Sequence, residues 1–182
     1  MINIVIAGVG GQGSILAAKV LGSLYLSKGL DVKVNEVHGM SQRGGSVVTM
    51  IRAGEKVHNP LVSVGEADYL VGLEIHETLR AWPYLAKNGK AVTSTRVIPI
   101  RYQPGEAASV GIIGGVIRIE AEELAKKAGN AKSENIVLLG ALSNFLDFSG
   151  DEWEAALREN IKPKHIGVNL NAFQLGREEV PK

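Results

Sequence analysis

The residues of this 182-residue chain that could do chemistry gather in its first quarter, in two glycine-centred stretches. The first is Gly8-Val9-Gly10-Gly11-Gln12-Gly13. The second runs Glu36-Val37-His38-Gly39-Met40-Ser41-Gln42-Arg43-Gly44-Gly45. Glycines at the G-x-G-x-x-G spacing permit a tight turn, close approach of the backbone to an anion, and close packing of helix on strand. Gly8, Gly10, Gly11, Gln12 and Gly13 are therefore candidate cofactor-binding residues. In the second stretch the guanidinium fork of Arg43 could grip a phosphate or carboxylate bidentately, with Gly44-Gly45 leaving the backbone open beside it. The alternative is an arginine that holds its own loop by pairing with Glu36, or that meets a partner's carboxylate.

Glu36 stands roughly 20 positions beyond the glycines, where a dinucleotide-binding unit places the acid that takes the ribose hydroxyls. A loop-fixing carboxylate is the competing reading. His38 is a candidate acid–base group, although a lone histidine more often only holds structure. Glu36, His38, Met40, Gln42, Arg43, Gly44 and Gly45 together form a candidate loop that borders an active site or contacts a partner. His58, His76 and His165 fall in unrelated segments and match no metal spacing, so no metal ligand is assigned. No nucleophile elbow, P-loop lysine or H-E-x-x-H occurs, and no catalytic residue can be named. Glu74 and Glu77 follow a strand's carboxyl end and read as a solvated helix start.

The elements around these stretches give them context. Ile2 to Ala7 is an apolar, β-branched run that reads as a buried parallel strand. Ser14 to Lys28 has a helical pattern closed by Gly29, with small residues Ala17, Ala18 and Gly22 to lie close on a sheet. Val32 to Val37 is the second strand. Ser46 to Ile51 follows too closely for a helical crossover, so it pairs antiparallel or leaves the parallel order. Tyr69 to Leu73 is a strand, and Ile75 to Leu85 a helix broken at Pro83. Asn88-Gly89 turns into a strand at Lys90–Ser94, Pro99 to Gly111 is a loop, and Val116 to Ile119 a short strand. Helices are predicted over 120–128, 133–148, from the capping box at Ser149–Glu152 onward, and over 164–175, with Gly176 beyond the last. The fold class is α/β: a Rossmann-like, mostly parallel sheet with helices on both faces and a helical C-terminal third, in one domain over 1–182. Asn144, Asn169 and Asn171 must be hydrogen-bonded if buried. Trp153, Phe145, Phe148 and Phe173 fill the core or face a partner.

Composition narrows the functions. An apolar fraction of 45% and a net charge of +1 suggest neither disorder nor a nucleic-acid-binding surface. The chain has no cysteine, so it can offer no disulfide and no cysteine-ligated iron–sulfur cluster. Apolar runs fall far short of the roughly 20 residues that span a bilayer, and the N-terminus does not read as a signal peptide. The expected setting is a reducing cytoplasm, with no nucleic-acid or membrane partner.

These motifs resemble the gamma-type domain of the 2-oxoacid:ferredoxin oxidoreductases, within it the indolepyruvate or arylpyruvate branch, where such a chain is the beta subunit. The resemblance rests on Gly8–Gly13, on Glu36–Ser46, on Gly65-Glu66-Ala67-Asp68, on Ser133–Ala141, on Pro163-Lys164 and on Asn171–Gly176. It spans almost the whole chain, and the second glycine stretch is its most specific part. Asn135-Ile136 stands where family members often have Asn-Met. The resemblance implies a subunit, inactive alone, of an enzyme that decarboxylates an aryl-2-oxoacid oxidatively to an acyl-CoA. Thiamine diphosphate and iron–sulfur clusters would sit on a larger partner subunit, coenzyme A would be a co-substrate, and ferredoxin would take the electrons through the complex. The chain carries no Gly-Asp-Gly with downstream Asn-Asn, the usual thiamine diphosphate pattern. Competing readings are an independent NAD(P)- or flavin-binding oxidoreductase, a pyruvate- or 2-oxoglutarate-type gamma subunit, and a nucleotide-sensing module.

Overall fold

The computed structural model describes residues 1–39, 44–98 and 115–180. The expected loop at Pro99–Gly111 lies outside these residues. The chain forms six strands, β1 (Ile2–Val9), β2 (Asp31–His38), β3 (Ser46–Gly54), β4 (Ala67–Gly72), β5 (Leu85–Ser94) and β6 (Val116–Ile119). The α-helices are α1 (Ser14–Ser27), α2 (Ile75–Ala81), α3 (Ala121–Ala128), α4 (Glu134–Leu142), α5 (Gly150–Asn160) and α6 (Pro163–Glu178).

The strands make one sheet in the order β2-β3-β1-β4-β5-β6. β1, β4, β5 and β6 pair in parallel, while β3 runs antiparallel to both β1 and β2. The antiparallel alternative for Ser46–Ile51 is thus the one adopted, by a strand inserted between β1 and β2. The consequence matters for the site: β3 begins at the same edge where β1 and β2 end. β1 is central, and its residues 4–8 are buried on both faces, as expected of a parallel strand covered on both sides.

Helices lie on both faces, unevenly. α1, α3, α4, α5 and α6 pack with Ile4, Ile6, Ile51, Val71 and Val92 into the larger core. The other face holds Val5, Ala7, Met50, Leu70 and Ala91 under Ala81 and Trp82, at the end of α2. Trp153 is wholly buried and stacks on Phe173 at 5.0 Å, with Phe148 edge-on at 6.3 Å. Phe145 and Phe148 are partly buried and pack against the same core, whereas Trp153 and Phe173 lie within it.

Local chemistry accounts for the boundaries. α2 stops at Ala81 because Pro83 follows, and Trp82–Tyr84 continues as a single 3₁₀ turn. The Ser149 capping box is formed in both directions, Ser149 Oγ with Glu152 N–H at 3.2 Å and Glu152 Oε2 with Ser149 N–H at 2.7 Å. The buried helix predicted over 133–148 is shorter, ending at Leu142. There Ser143 Oγ donates to the Gly140 carbonyl at 2.6 Å and Asn144 Nδ2 to the Ala141 carbonyl at 3.2 Å, taking acceptors that would continue the helix. Asn88-Gly89 does not start a new strand: β5 runs through it with a shift of register against β4. A Cβ on Gly89 would meet the Ala67 carbonyl at 2.8 Å, so the glycine marks an irregularity rather than a turn.

Gly176 is likewise not a helix stop. α6 continues to Glu178, and a side chain on Gly176 would collide with the Val137 carbonyl of α4. Gly140 of α4 faces the Phe173 carbonyl of α6 in the same manner. The two helices cross backbone to backbone, each supplying one glycine. Gly176→Val should therefore lower stability by about 3 kcal/mol or more. Gly167→Ala, on an open stretch of the same helix, should raise it by about 0.5–1 kcal/mol. Chemical denaturation of the two variants checks both; equal effects would show that α4 and α6 are not in such contact.

Candidate functional site

The first glycine stretch is the turn between β1 and α1. Gly11 and Gly13 adopt φ of +102° and +86°, a region that side-chain-bearing residues rarely enter. At Gly13 a second constraint applies, since a Cβ would lie 2.5 Å from Asn135 Nδ2. That amide donates to the Gly13 carbonyl at 3.0 Å and accepts from its neighbour Ile136 N–H at 3.0 Å, tying the turn to the start of α4. Gly8, still in the strand, leaves room for Leu73, whose Cβ would be 2.8 Å from a Cβ there. Gln12 folds back: its Oε1 accepts from Val9 N–H at 2.7 Å and its Nε2 donates to the Leu73 carbonyl at 2.9 Å. The side chain thus spans the point between β1 and β4 from which the sheet is wound in opposite directions, the usual ligand crevice of an open α/β sheet.

The second stretch meets the first through the backbone. Gly10 N–H donates to the Gly45 carbonyl at 2.8 Å, and Gly44 N–H donates to the Gly10 carbonyl at 3.2 Å. This pair continues the antiparallel β1–β3 ladder beyond Val9 and Ser46. The two glycine stretches are therefore adjacent, as the sheet edge requires. Met40, Gln42 and Arg43 lie outside the described residues, so the Arg43–Glu36 pairing does too.

Between the turn and β2 lies a cleft of about 370 Å³, lined by Gly10, Gly11, Gly13, Ser14, Ile15, Glu36, His38 and Val47. Glu36 is half-buried, and its Oε2 accepts from Ser14 Oγ at 3.2 Å and Thr49 Oγ1 at 3.3 Å. The carboxylate is thereby held between α1 and β3. His38 is exposed, with Nδ1 3.0 Å from the Gly39 carbonyl.

A second cleft, about 380 Å³, opens on the other side of the turn and is lined by Gly11, Gln12, Leu73, Arg96, Glu122, Ala131, Lys132 and Glu134. Arg96 pairs closely with Glu134 and lies 4.0 Å from Glu122. Burial pushes the Glu134 carboxyl above the usual glutamate range, while the adjacent Arg96 charge opposes that shift. The desolvation of Glu134 outweighs the ion pair because Arg96 itself is about one-third exposed, so solvent screens it.

Glu74 and Glu77 do not form a solvated helix start. They are 0% and 1% exposed, with His76 between them at 4%. Glu74 caps α2, accepting from Glu77 N–H at 2.9 Å, and also takes Ile98 N–H at 3.2 Å, with His76 Nδ1 at 3.1 Å. Glu77 accepts from Ser46 Oγ at 2.5 Å, which fastens α2 to the first residue of β3. Burial is tolerated because Glu74 is met by two backbone N–H groups and His76, and Glu77 by Ser46 Oγ with the Arg80 guanidinium 3.7 Å away. Residue spacing hides this arrangement, since a strand end followed by acids is also what an exposed N-cap looks like. Gly72 completes the packing here: a Cβ would lie 2.5 Å from Thr93 Oγ1, and Thr78 and Thr93 share a 2.7 Å hydrogen bond above it.

A six-stranded open α/β sheet with its glycine turn and clefts at the carboxyl edge defines a Rossmann-like domain. Comparison with known proteins places it more closely. Residues 3–179 match the family described as pyruvate ferredoxin/flavodoxin oxidoreductase, and the chain belongs to that family, and with it to the oxidoreductases. It is 42% identical to an indolepyruvate oxidoreductase subunit IorB of Thermococcus kodakarensis, over 96% of this chain and 93% of that one. The corresponding subunit of Pyrococcus horikoshii is 40% identical over the same shares. Among solved structures, the gamma subunit of a keto/oxoacid ferredoxin oxidoreductase from Geobacter sulfurreducens has the same fold, with a TM-score of 0.75 at 22% identity over 98% of both chains.

No helix among the described residues is long and apolar enough to cross a membrane. The donor set also decides which groups this chain can hold. With no cysteine there is no thiolate for an iron–sulfur cluster. Among the described residues no three His, Asp or Glu side chains converge to hold the metal that accompanies a diphosphate cofactor.

Two measurements follow. Gly13→Ala should destabilise the chain by roughly 2 kcal/mol through strained φ and contact with Asn135. Adding Asn135→Ala should then cost less than it does in wild type, because the contact is relieved; additive effects in the double-mutant cycle would exclude it. Separately, the Glu134 carboxyl should titrate above an ordinary glutamate by NMR, and Arg96→Ala should move it further up. A downward move would mean that Arg96 does not act on the ionised form.

Proposed function

We propose that this chain, as one gamma-type domain over residues 1–182, is the smaller subunit of an indolepyruvate, or arylpyruvate, ferredoxin oxidoreductase in the cytoplasm. The complex oxidatively decarboxylates the oxoacid, joins the acyl group to coenzyme A and passes the electrons to ferredoxin. The observation that carries this reading is the 42% identity, across 96% of the chain, to an indolepyruvate oxidoreductase subunit. Thiamine diphosphate and the iron–sulfur clusters belong to a larger partner subunit, consistent with the absence of cysteine from the chain and of a metal-holding carboxylate set among the described residues. When bound there, thiamine diphosphate supplies the carbanion chemistry of decarboxylation. This chain completes the assembly and is inactive alone.

Within that assembly the first turn, Gly8 to Gly13, offers close backbone approach, and the Glu36–Gly45 loop borders the active site or the partner. The Gly10–Gly45 and Gly44–Gly10 hydrogen bonds support this, since they hold both glycine stretches at one edge. Glu36 and His38 border the cleft there. Arg43 meets an anionic group, either a substrate or a partner carboxylate.

The test is reconstitution. The lone chain should show no arylpyruvate-dependent dye reduction, while the two-subunit complex with coenzyme A should show it. A larger subunit equally active without this chain would end the proposal. In the complex, Arg43→Ala should raise KM for coenzyme A or oxoacid, or weaken subunit association, by roughly ten- to a hundredfold, the loss of one charge-assisted contact. Arg43→Lys should restore part of it, lacking the planar fork. Unchanged kinetics and association would remove the loop from the site.

A further inference from the structure

A groove of about 530 Å³ adjoins the second cleft, with Lys132 on the wall of both, and lies between the α3–α4 connection, the end of α5 and the start of α6. Its polar walls include Lys132, Ser133, Asn160, Lys162, His165 and Asn169, and no aspartate or glutamate lines it. Elsewhere Lys28, Lys33 and Lys126 each meet a carboxylate within 3.1 Å. Lys132, Lys162 and His165 form no ion pair with any described residue.

Two helices begin at this groove, α4 through Ser133 and α6 through Lys162, and neither has a side-chain cap. α6 has no acid in its first turn, where the macrodipole would favour one, and carries Lys162, Lys164 and His165 instead. The single acid in the first turn of α4, Glu134, is drawn into the neighbouring cleft by Arg96. The end of α5 opposes with about half a negative charge, against about half a positive charge from each starting helix. The two lysines therefore decide the sign of the field. An independent feature points the same way. Ser133 is 2% exposed, lines the groove, and its hydroxyl makes no hydrogen bond to any described residue. The hydroxyl of a buried residue that lines a cationic groove and has no partner among the described residues is a position for a ligand oxygen.

We infer that this groove binds a small molecule through a phosphate or diphosphate group. Lys132 and Lys162 supply charge, Ser133 Oγ and His165 supply directional hydrogen bonds, and the starts of α4 and α6 add their positive ends. The volume falls in the range of small-ligand sites. Neither glycine stretch takes part, so the inference is independent of the assembly proposed above.

The test uses the full chain in phosphate-free buffer, titrated with inorganic pyrophosphate and separately with ADP, read by amide NMR shifts. Both should saturate with a dissociation constant below about 1 mM, with the largest shifts at 132–135 and 162–169. Equal affinities mean that the anion alone is recognised; tighter ADP means that the source is a nucleotide. The Lys132→Ala, Lys162→Ala double variant should weaken binding about a hundredfold, roughly tenfold per lost charge-assisted contact. Ser133→Ala, with both charges kept, should weaken it several-fold. Lys33→Ala, on β2, should leave binding unchanged, and all variants should melt with wild type. Shifts spread over all surface lysines, shifts centred on 10–14, or binding indifferent to the double variant would each overturn the inference.

Discussion

The arrangement of this molecule depends on a pair of backbone hydrogen bonds between Gly10 and the Gly44-Gly45 pair. They form because β3 is inserted antiparallel between β1 and β2, so that its first residues approach the end of β1. Without that reversal, loops after β1 and β2 would meet only as neighbours at an edge. With it, the ladder itself joins the two glycine stretches. Positive φ at Gly11, Gly13 and Gly44 then lets the chain leave the ladder on both sides.

Around that junction the polar groups are mostly spent on structure. Gln12 bridges the ends of β1 and β4, Asn135 holds Gly13 to α4, and Glu36 holds α1 to β3. Beneath them, Glu74 and Glu77 fasten α2, Ile98 and Ser46 in a buried network. Such groups are costly to bury and are kept when every acceptor is met. A frame so heavily cross-linked holds both glycine stretches in preformed positions at the sheet edge.

The three clefts around α1 and α4 differ in charge although they are neighbours. One holds the Glu36 carboxylate, the next balances Arg96 against Glu122 and Glu134, and the third is cationic. The Arg96–Glu134 pair produces this division. It draws the one acid at the start of α4 to one side and leaves the positive side of that helix start facing the other.

Much of this was written in the chain. The apolar run at Ile2–Ala7, the glycine turn, the Ser149 capping box and the break at Pro83 are local features, and each determines its own element by sterics or hydrogen bonding within a few residues. The identity of the family rests in the same way on short contiguous motifs. What only the tertiary structure decided are matters of distance between segments. Gly176 reads as a helix end but is a contact with Val137, and Asn88-Gly89 reads as a turn but lies inside a strand. Glu74 and Glu77 read as solvated acids but are buried, because their donors come from Ser46 and Ile98, which spacing cannot bring near. The groove at Lys132, Ser133, Lys162 and His165 is assembled from two helix starts some thirty positions apart. The physical reason is common to all: a periodic pattern fixes which way a side chain points, while its partner is set by how helices and strands from distant parts of the chain pack.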